Sequence, residues 1–145
     1  MKIGIVSDHR GYDLKKKIIK NMKNIEFVDL GAYSKESIDY PDFAFKLGQE
    51  LITKKIDLGI AICGSGIGMS IACNKVKNVR CARVTTIKDV KVTRNDNNAN
   101  VIAFSADINF NKVKRMIEEF INTPFSNDER HQKRINKINE YELTH

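Results

Sequence analysis

Short apolar runs alternate along the chain with longer segments in which apolar residues recur every three or four positions. The short runs are typical of buried strands, and the longer segments are typical of helices that pack on one side. The pattern predicts strands at Lys2–Asp8, Ile25–Leu30, Leu58–Cys63, Val79–Val84 and Val101–Ser105. It predicts helices at Gly11–Met22, Phe43–Lys54, from the glycine-rich turn after Cys63 to about Lys75, and at Lys88–Asn95, Asn111–Asn122 and Glu129–Glu142.

Strands that alternate with helices and are apolar almost throughout are typical of a parallel sheet covered by helices on both faces. The sequence therefore predicts one α/β domain over residues 1–145. Its expected form is a three-layer, doubly wound (Rossmann/flavodoxin-like), five-stranded parallel sheet with a C-terminal helix and flavodoxin-like strand order. Ligands of such sheets bind at the carboxyl ends of the strands. That rule selects Asp8-His9-Arg10, Gly31, Cys63–Gly68, Thr85-Thr86 and Ser105–Asp107 as candidates. The polar stretch Arg94–Asn100, just before the fifth strand, is assigned to the same edge.

Composition narrows the class of protein. Hydrophobic residues make up 41% and charged residues 30% of the 145 residues, which is typical of a globular protein. No apolar run approaches the roughly 20 residues of a membrane span, and the N-terminus resembles a strand rather than a signal peptide. We therefore expect a cytoplasmic protein without a membrane partner. The net charge of +7 suits an anionic partner, but the lysines are scattered, which favours a phosphorylated metabolite over nucleic acid.

The glycine-rich turn Cys63–Gly68 follows the third predicted strand and leads into a helix. Glycines allow close backbone approach, and the start of a helix offers unpaired N–H groups that favour negative charge on a ligand or a nearby sulfur. Cys63 could equally be a small buried hydrophobe, since free cysteines are usually buried. Cys73 and Cys81 fall inside a helix and a strand, and we interpret both as core. An odd number of cysteines argues against a disulfide framework, and no spacing fits a zinc site.

Two pairs of polar residues also have both a functional and a structural interpretation. Asp8 and His9 could orient sugar hydroxyls, or Asp8 could cap the next helix while His9 stays exposed. Arg130 and Arg134 share a helix face at a spacing of four residues, which suits a phosphate group. They could instead form a solvated basic face paired with neighbouring carboxylates.

Taken together, the motifs resemble the ribose-5-phosphate isomerase B family, which includes isomerases of hexose 6-phosphates. Each motif is weak alone, but five occur in family order and spacing over nearly the whole chain. They are Ser7–Gly11, Asp39-Tyr40-Pro41, Ile62–Gly68 followed by Asn74-Lys75, Asn100–Phe104, and Arg130–Arg134.

The resemblance implies an aldose–ketose isomerase that uses no metal or other cofactor and interconverts ribose 5-phosphate and ribulose 5-phosphate by moving a proton between C1 and C2. A hexose 6-phosphate of the allose or galactose type is the alternative substrate. It implies a homodimer or dimer of dimers with the active site at the subunit interface. Cys63 would be the base, and Ser65 with nearby N–H groups would stabilise the enediolate. The implied catalytic residues are Cys63, Ser65 and His9. The implied substrate-binding residues are Asp8, His9, Tyr40, Gly64, Ser65, Gly66, Ile67, Gly68, Asn97, Arg130 and Arg134.

The chain departs from the family at two positions. The family's ring-opening histidine has Asp96 in its place, and a phosphate-binding arginine after strand five has Asp107 in its place. In the family's dimer both side chains come from the neighbouring subunit. Three explanations follow: His9 or Asp96 opens the sugar ring, the substrate is not ribose 5-phosphate, or a paralogous subunit supplies the missing groups.

Two other classes of protein remain open at this point. A non-catalytic flavodoxin-like module could bind a nucleotide, a flavin or another anion at Gly64–Gly68, although it would have no use for Cys63. A nucleic-acid-binding protein rests on the net charge alone.

Overall fold

A computed structural model describes residues 1–145 and contains one five-stranded, all-parallel sheet with the strand order β2-β1-β3-β5-β4. The strands are β1 (Lys2–Ser7), β2 (Glu26–Asp29), β3 (Leu58–Cys63), β4 (Cys81–Arg83) and β5 (Val101–Ser105). The helices are α1 (Tyr12–Asn21), α2 (Tyr40–Ile52), α3 (Ile67–Cys73), α4 (Ile87–Asn97), α5 (Phe110–Asn122) and α6 (Glu129–Thr144). The predicted doubly wound α/β domain is confirmed.

The two faces of the sheet bury alternate residues of the same strands. In β3, Ile60 and Ile62 pack into a cluster with α1 and α5, while Ala61 and Cys63 pack into a second cluster with α2 and α3. This period of two is what a strand buried on both faces requires. It also directs the side chain of Cys63 toward the α2 and α3 layer.

The flavodoxin-like strand order is wrong, because β5 lies between β3 and β4 rather than at the edge. Burial explains the exchange. β5 is almost wholly buried, whereas the three residues of β4 are half-buried or exposed, as an edge position allows. Strand β4 is also shorter than the predicted Val79–Val84. Helix α2 begins at Tyr40 rather than Phe43, because Pro41 fits the first turn of a helix.

Helix α4 connects the carboxyl end of β4 to the amino end of β5, and it begins with a capping box. The Thr86 hydroxyl accepts the N–H of Asp89 at 3.0 Å, and the Asp89 carboxylate accepts the N–H of Thr86 at 3.2 Å. Hydrogen bonds to this carboxylate, led by the N–H of Thr85, lower the pKa of Asp89. No helix of the fold combines the length and hydrophobicity needed to cross a bilayer.

Candidate active site

The carboxyl ends of β1 and β3 are neighbours and hold the buried part of the site. Asp8 is 7% exposed, and its carboxylate accepts the N–H of Gly11 at 2.9 Å. Helix α1 starts after Gly11 without a side-chain cap, so Asp8 closes the turn before the helix rather than capping it. His9 follows at this edge, and its buried Nδ1 has no hydrogen-bond partner within the chain.

Cys63 ends the central strand and is 5% exposed. The N–H of Gly66 donates to its sulfur at 3.1 Å. This contact depends on a glycine, because Gly66 has a φ of 78° and an added Cβ would lie 2.8 Å from the Cα of Phe104. The Cys63 sulfur is therefore a hydrogen-bond acceptor at the carboxyl edge of the sheet.

The turn after Cys63 carries further donors. The N–H groups of Ser65 and Gly68 make no hydrogen bond within the chain, whereas the N–H of Ile67 donates to the Ser65 hydroxyl at 3.1 Å. The ring of Tyr40 lies over Gly68, where an added Cβ would be 2.8 Å from the tyrosine oxygen. The predicted residues of strands one and three and of the Asp39-Tyr40-Pro41 motif are thus brought together at one edge.

The remaining cysteines differ from Cys63. Cys73 is fully buried, and Cys81 lies in the edge strand. The pKa of Cys81 is raised because its thiol interacts with that of Cys73 and is buried. A thiol that stays protonated is unsuited to act as a base near neutral pH, which agrees with the structural role predicted for this pair.

A second group of predicted site residues lies at the opposite, amino edge of the sheet. His131 is 13% exposed; its Nε2 lies 3.9 Å from the Asp96 carboxylate and its Nδ1 lies 3.0 Å from the Ser126 hydroxyl. Arg130 and Arg134 are exposed at the start of α6, and Arg130 pairs with Asp128 at 3.5 Å. This group consists of Asp96, Asn97, Arg130, His131 and Arg134.

The two groups are separated by the length of the sheet. Asn100 accepts the N–H of Gly59, the second residue of β3, while Cys63 ends that strand about 13 Å further along. The interpretation of Arg94–Asn100 as part of the carboxyl edge is therefore wrong, because a segment that enters a parallel strand lies at its amino end. Asp96 precedes β5 and Asp107 follows it, so the two residues lie at opposite ends of that strand.

Three side chains at the carboxyl edge had no role assigned from the sequence. The Arg10 guanidinium lies beside Gly64 and 3.6 Å from the Asp107 carboxylate. Arg83 donates to the Ser65 carbonyl at 3.1 Å, and the Ser105 hydroxyl donates to the Gly64 carbonyl at 2.7 Å. Arg10 and Ser105 lie in segments that the carboxyl-end rule selected, although without a role, and the same rule could have identified Arg83, which ends β4.

Fold and edge together define a doubly wound α/β protein with a thiol site at the end of its central strand. A family model described as Ribose/Galactose Isomerase matches residues 3–138. The chain therefore belongs to the ribose/galactose isomerase family, and the resemblance inferred from the motifs is confirmed.

Individual relatives cover the whole chain. Ribose-5-phosphate isomerase B of Mycobacterium tuberculosis is 35% identical over 149 residues, covering 100% of this chain and 92% of the relative. The solved structure of ribose-5-phosphate isomerase B from Clostridium thermocellum has a TM-score of 0.95 and 37% identity, covering 99% of both chains. That of the Mycoplasma genitalium enzyme with bound ribulose-5-phosphate has a TM-score of 0.90 and 39% identity, covering 98% and 96%.

Proposed function

We propose that this chain is an aldose–ketose isomerase that interconverts ribose 5-phosphate and ribulose 5-phosphate, with Cys63 as the base. The observation that carries the proposal is the Cys63 sulfur at the end of the central strand, with the Gly66 N–H donating to it at 3.1 Å. The relatives named ribose-5-phosphate isomerase B support the same substrate. A phosphorylated sugar is retained in the cytoplasm, which is where we expect the protein to act.

The reaction moves one proton between adjacent carbons. The Cys63 thiolate removes the proton from C2 of the open-chain aldose, and the electron pair passes to the C1 carbonyl oxygen to give an enediolate. The thiol then returns the proton to C1 while the hydroxyl proton on O2 is transferred to O1. The product is the ketose, and no atom is gained or lost.

The negative charge that develops on oxygen needs preorganised donors. The unpaired N–H groups of Ser65 and Gly68 and the Ser65 hydroxyl lie on the turn that follows the base. We assign the enediolate to this turn, Gly64–Gly68. Because the N–H of Ile67 already donates to the Ser65 hydroxyl, Ile67 stabilises the turn and does not bind the enediolate oxygen.

We assign the binding of the sugar hydroxyls and the ring oxygen to Asp8, His9 and Tyr40, which lie at the same edge of the sheet as Cys63. We propose His9 as the ring-opening group, because its Nδ1 is buried without a partner. Asp96 is the other candidate, because it stands at the family's histidine position and contributes a carboxylate there. The imidazole of His131 lies near Asp96, but one of its ring nitrogens already lies beside the Ser126 hydroxyl.

We propose that a second copy of the chain supplies the phosphate-binding half. Arg130 and Arg134 lie too far along the sheet to reach a sugar on Cys63 of the same chain, as does Asn97, so the site needs an amino edge from a partner. An exposed apolar strip on α3, Ile67 and Ile71, offers a surface for that copy. A homodimer or a dimer of dimers meets this need, and a paralogous partner is the alternative.

A substrate panel tests the function. Purified protein is incubated with ribose 5-phosphate, allose 6-phosphate, galactose 6-phosphate and unphosphorylated ribose, and the ketose formed is measured. We expect turnover of ribose 5-phosphate to exceed that of the hexose phosphates and of ribose. Preference for a hexose phosphate would assign the substrate to the other branch of the family. Inactivity on all phosphosugars would favour the paralogous partner, and colour with flavin binding would favour a non-catalytic module.

A further inference from the structure

Asp107 stands where the resemblance places a phosphate-binding arginine, so the charge at that position is reversed. A cation is nevertheless present beside it. Nη2 of Arg10 lies 3.6 Å from the Asp107 carboxylate, with side chains 57% and 78% exposed, respectively. A guanidinium is therefore present at the carboxyl edge, but it belongs to the loop after β1 rather than to the loop after β5.

The Arg10 guanidinium packs directly on the catalytic turn. A Cβ added to Gly64 would lie 2.9 Å from its Cζ, so a larger residue at that position would displace the guanidinium. Gly64 follows Cys63, and consecutive Cα atoms are about 3.8 Å apart. The guanidinium is thus within roughly one side-chain length of the base, while the buried, unpartnered Nδ1 of His9 lies on the adjacent residue.

The loop that carries Asp107 is fixed to the same turn. The Asp107 N–H donates to the Ser105 hydroxyl at 3.0 Å, and that hydroxyl donates to the Gly64 carbonyl at 2.7 Å. The N–H of Ala106 donates to the Cys63 carbonyl at 2.8 Å. The backbone of Asp107 is therefore fixed relative to the turn, and its carboxylate lies beside Arg10.

We propose that Arg10 binds the phosphate group of the sugar phosphate and that Asp107, which pairs with its guanidinium in the free protein, gives way to the phosphate when the substrate binds. The proposal rests on the function proposed above. A guanidinium has five donors in a planar fork that matches a phosphate group. Asp107 forms a 3.6 Å ion pair with one edge of that fork, and the Arg10 side chain makes no hydrogen bond within the chain. Because the ion pair is exposed, it is weak, and a phosphate dianion can replace it.

The test measures kinetics with ribose 5-phosphate and inhibition by inorganic phosphate in the full-length protein. Arg10→Ala is expected to raise KM and the phosphate inhibition constant about 10- to 100-fold, the loss of one charge-assisted contact, with kcat changed by less than about threefold. Asp107→Ala frees the guanidinium and is expected to leave KM equal or lower. Arg115→Ala, an exposed arginine on α5, is the matched control.

Double variants separate binding from mere neutralisation of Asp107. Arg10→Ala/Asp107→Arg returns an arginine to the family position and is expected to restore KM. Arg10→Ala/Asp107→Ala should keep the raised KM, because the phosphate contact is still missing. Recovery of wild-type KM in this second variant, or an unchanged KM and inhibition constant in Arg10→Ala, overturns the proposal.

The proposed function and this proposal fail separately. If the wild type turns over ribose 5-phosphate and Arg10→Ala behaves like it, the function stands and the role of Arg10 does not. If the wild type has no isomerase activity, calorimetric titration with inorganic phosphate decides the role of Arg10 alone. Binding lost in Arg10→Ala then supports it, whereas equal binding or none by the wild type overturns it.

Discussion

The two ends of the β-sheet hold their polar groups by different means. At the carboxyl end, Cys63 and Asp8 are buried and each accepts a backbone N–H at 2.9–3.1 Å. At the amino end, Arg130 and Arg134 are exposed, and Arg130 has only a 3.5 Å pair with Asp128. A base that attacks carbon needs a fixed geometry, because reacting atoms must be aligned. A phosphate group can be bound by longer and more mobile side chains, because charge attraction is less directional.

The largest expected effect concerns the sulfur at the carboxyl end. Replacing Cys63 by Ala removes the proposed base and is expected to lower kcat by about 10²- to 10⁴-fold with little change in folding. Cys63→Ser keeps the shape but not the acidity, and it should be similarly impaired. Cys73→Ala is the control for loss of a buried thiol. Full turnover in both Cys63 variants would move the chemistry away from this end.

His9 distinguishes ring opening from proton transfer. In D₂O, exchange at C1 of ribulose 5-phosphate, which has no ring to open, is followed by NMR together with formation of ribose 5-phosphate. His9→Asn is expected to slow aldose formation by roughly 10²-fold while exchange continues. The comparison variant is Asp96→Asn. If Asp96→Asn slows formation of ribose 5-phosphate but not exchange at C1, and His9→Asn does not, then ring opening is carried out by the amino end of the sheet.

Mixed dimers test whether the two ends meet across an interface. Arg134→Ala is expected to raise KM about 10- to 100-fold through loss of a charge-assisted contact. Cys63→Ala and Arg134→Ala subunits, each nearly inactive below the wild-type KM, are unfolded together and refolded. In a two-fold dimer one heterodimer site carries both changes and the other carries none, so about one quarter of wild-type activity should return. No recovery, with mixed dimers verified by mass, would place both groups in one chain.

The smallest expected effect concerns α4, which connects the two ends. Asp89→Ala removes half of the capping box and is expected to cost at most about 1 kcal/mol at pH 7. Because the folded chain lowers the pKa of Asp89, this stabilisation is complete above the unfolded value of about 3.9 and is lost as pH falls through the folded pKa. Urea unfolding at several pH values measures it. Asp42→Ala, an acidic first-turn residue of α2 outside any capping box, should show a smaller pH dependence.

Local pattern was sufficient for the strands and helices, and it selected the residues of β1 and β3 that meet at the carboxyl edge. The periodicity around Leu58–Cys63 identified a buried strand, and the glycine turn after it identified a site, because both signals lie in consecutive residues. The same kind of signal misassigned Arg94–Asn100. The sequence showed that this segment is close to a strand. Because the segment precedes the strand, it lies at the amino end and not at the carboxyl end.

The sequence by itself determined the class of fold, the family and the residue types at the carboxyl end, since these depend on short-range pattern and on motifs. Only the tertiary structure decided that β5 lies between β3 and β4 and that Arg10 reaches Asp107. It also placed Asp96 and Asp107 at opposite ends of β5. The physical reason is that strand order and ion pairing depend on which surfaces bury one another. Residues far apart along the chain meet only when the sheet has formed.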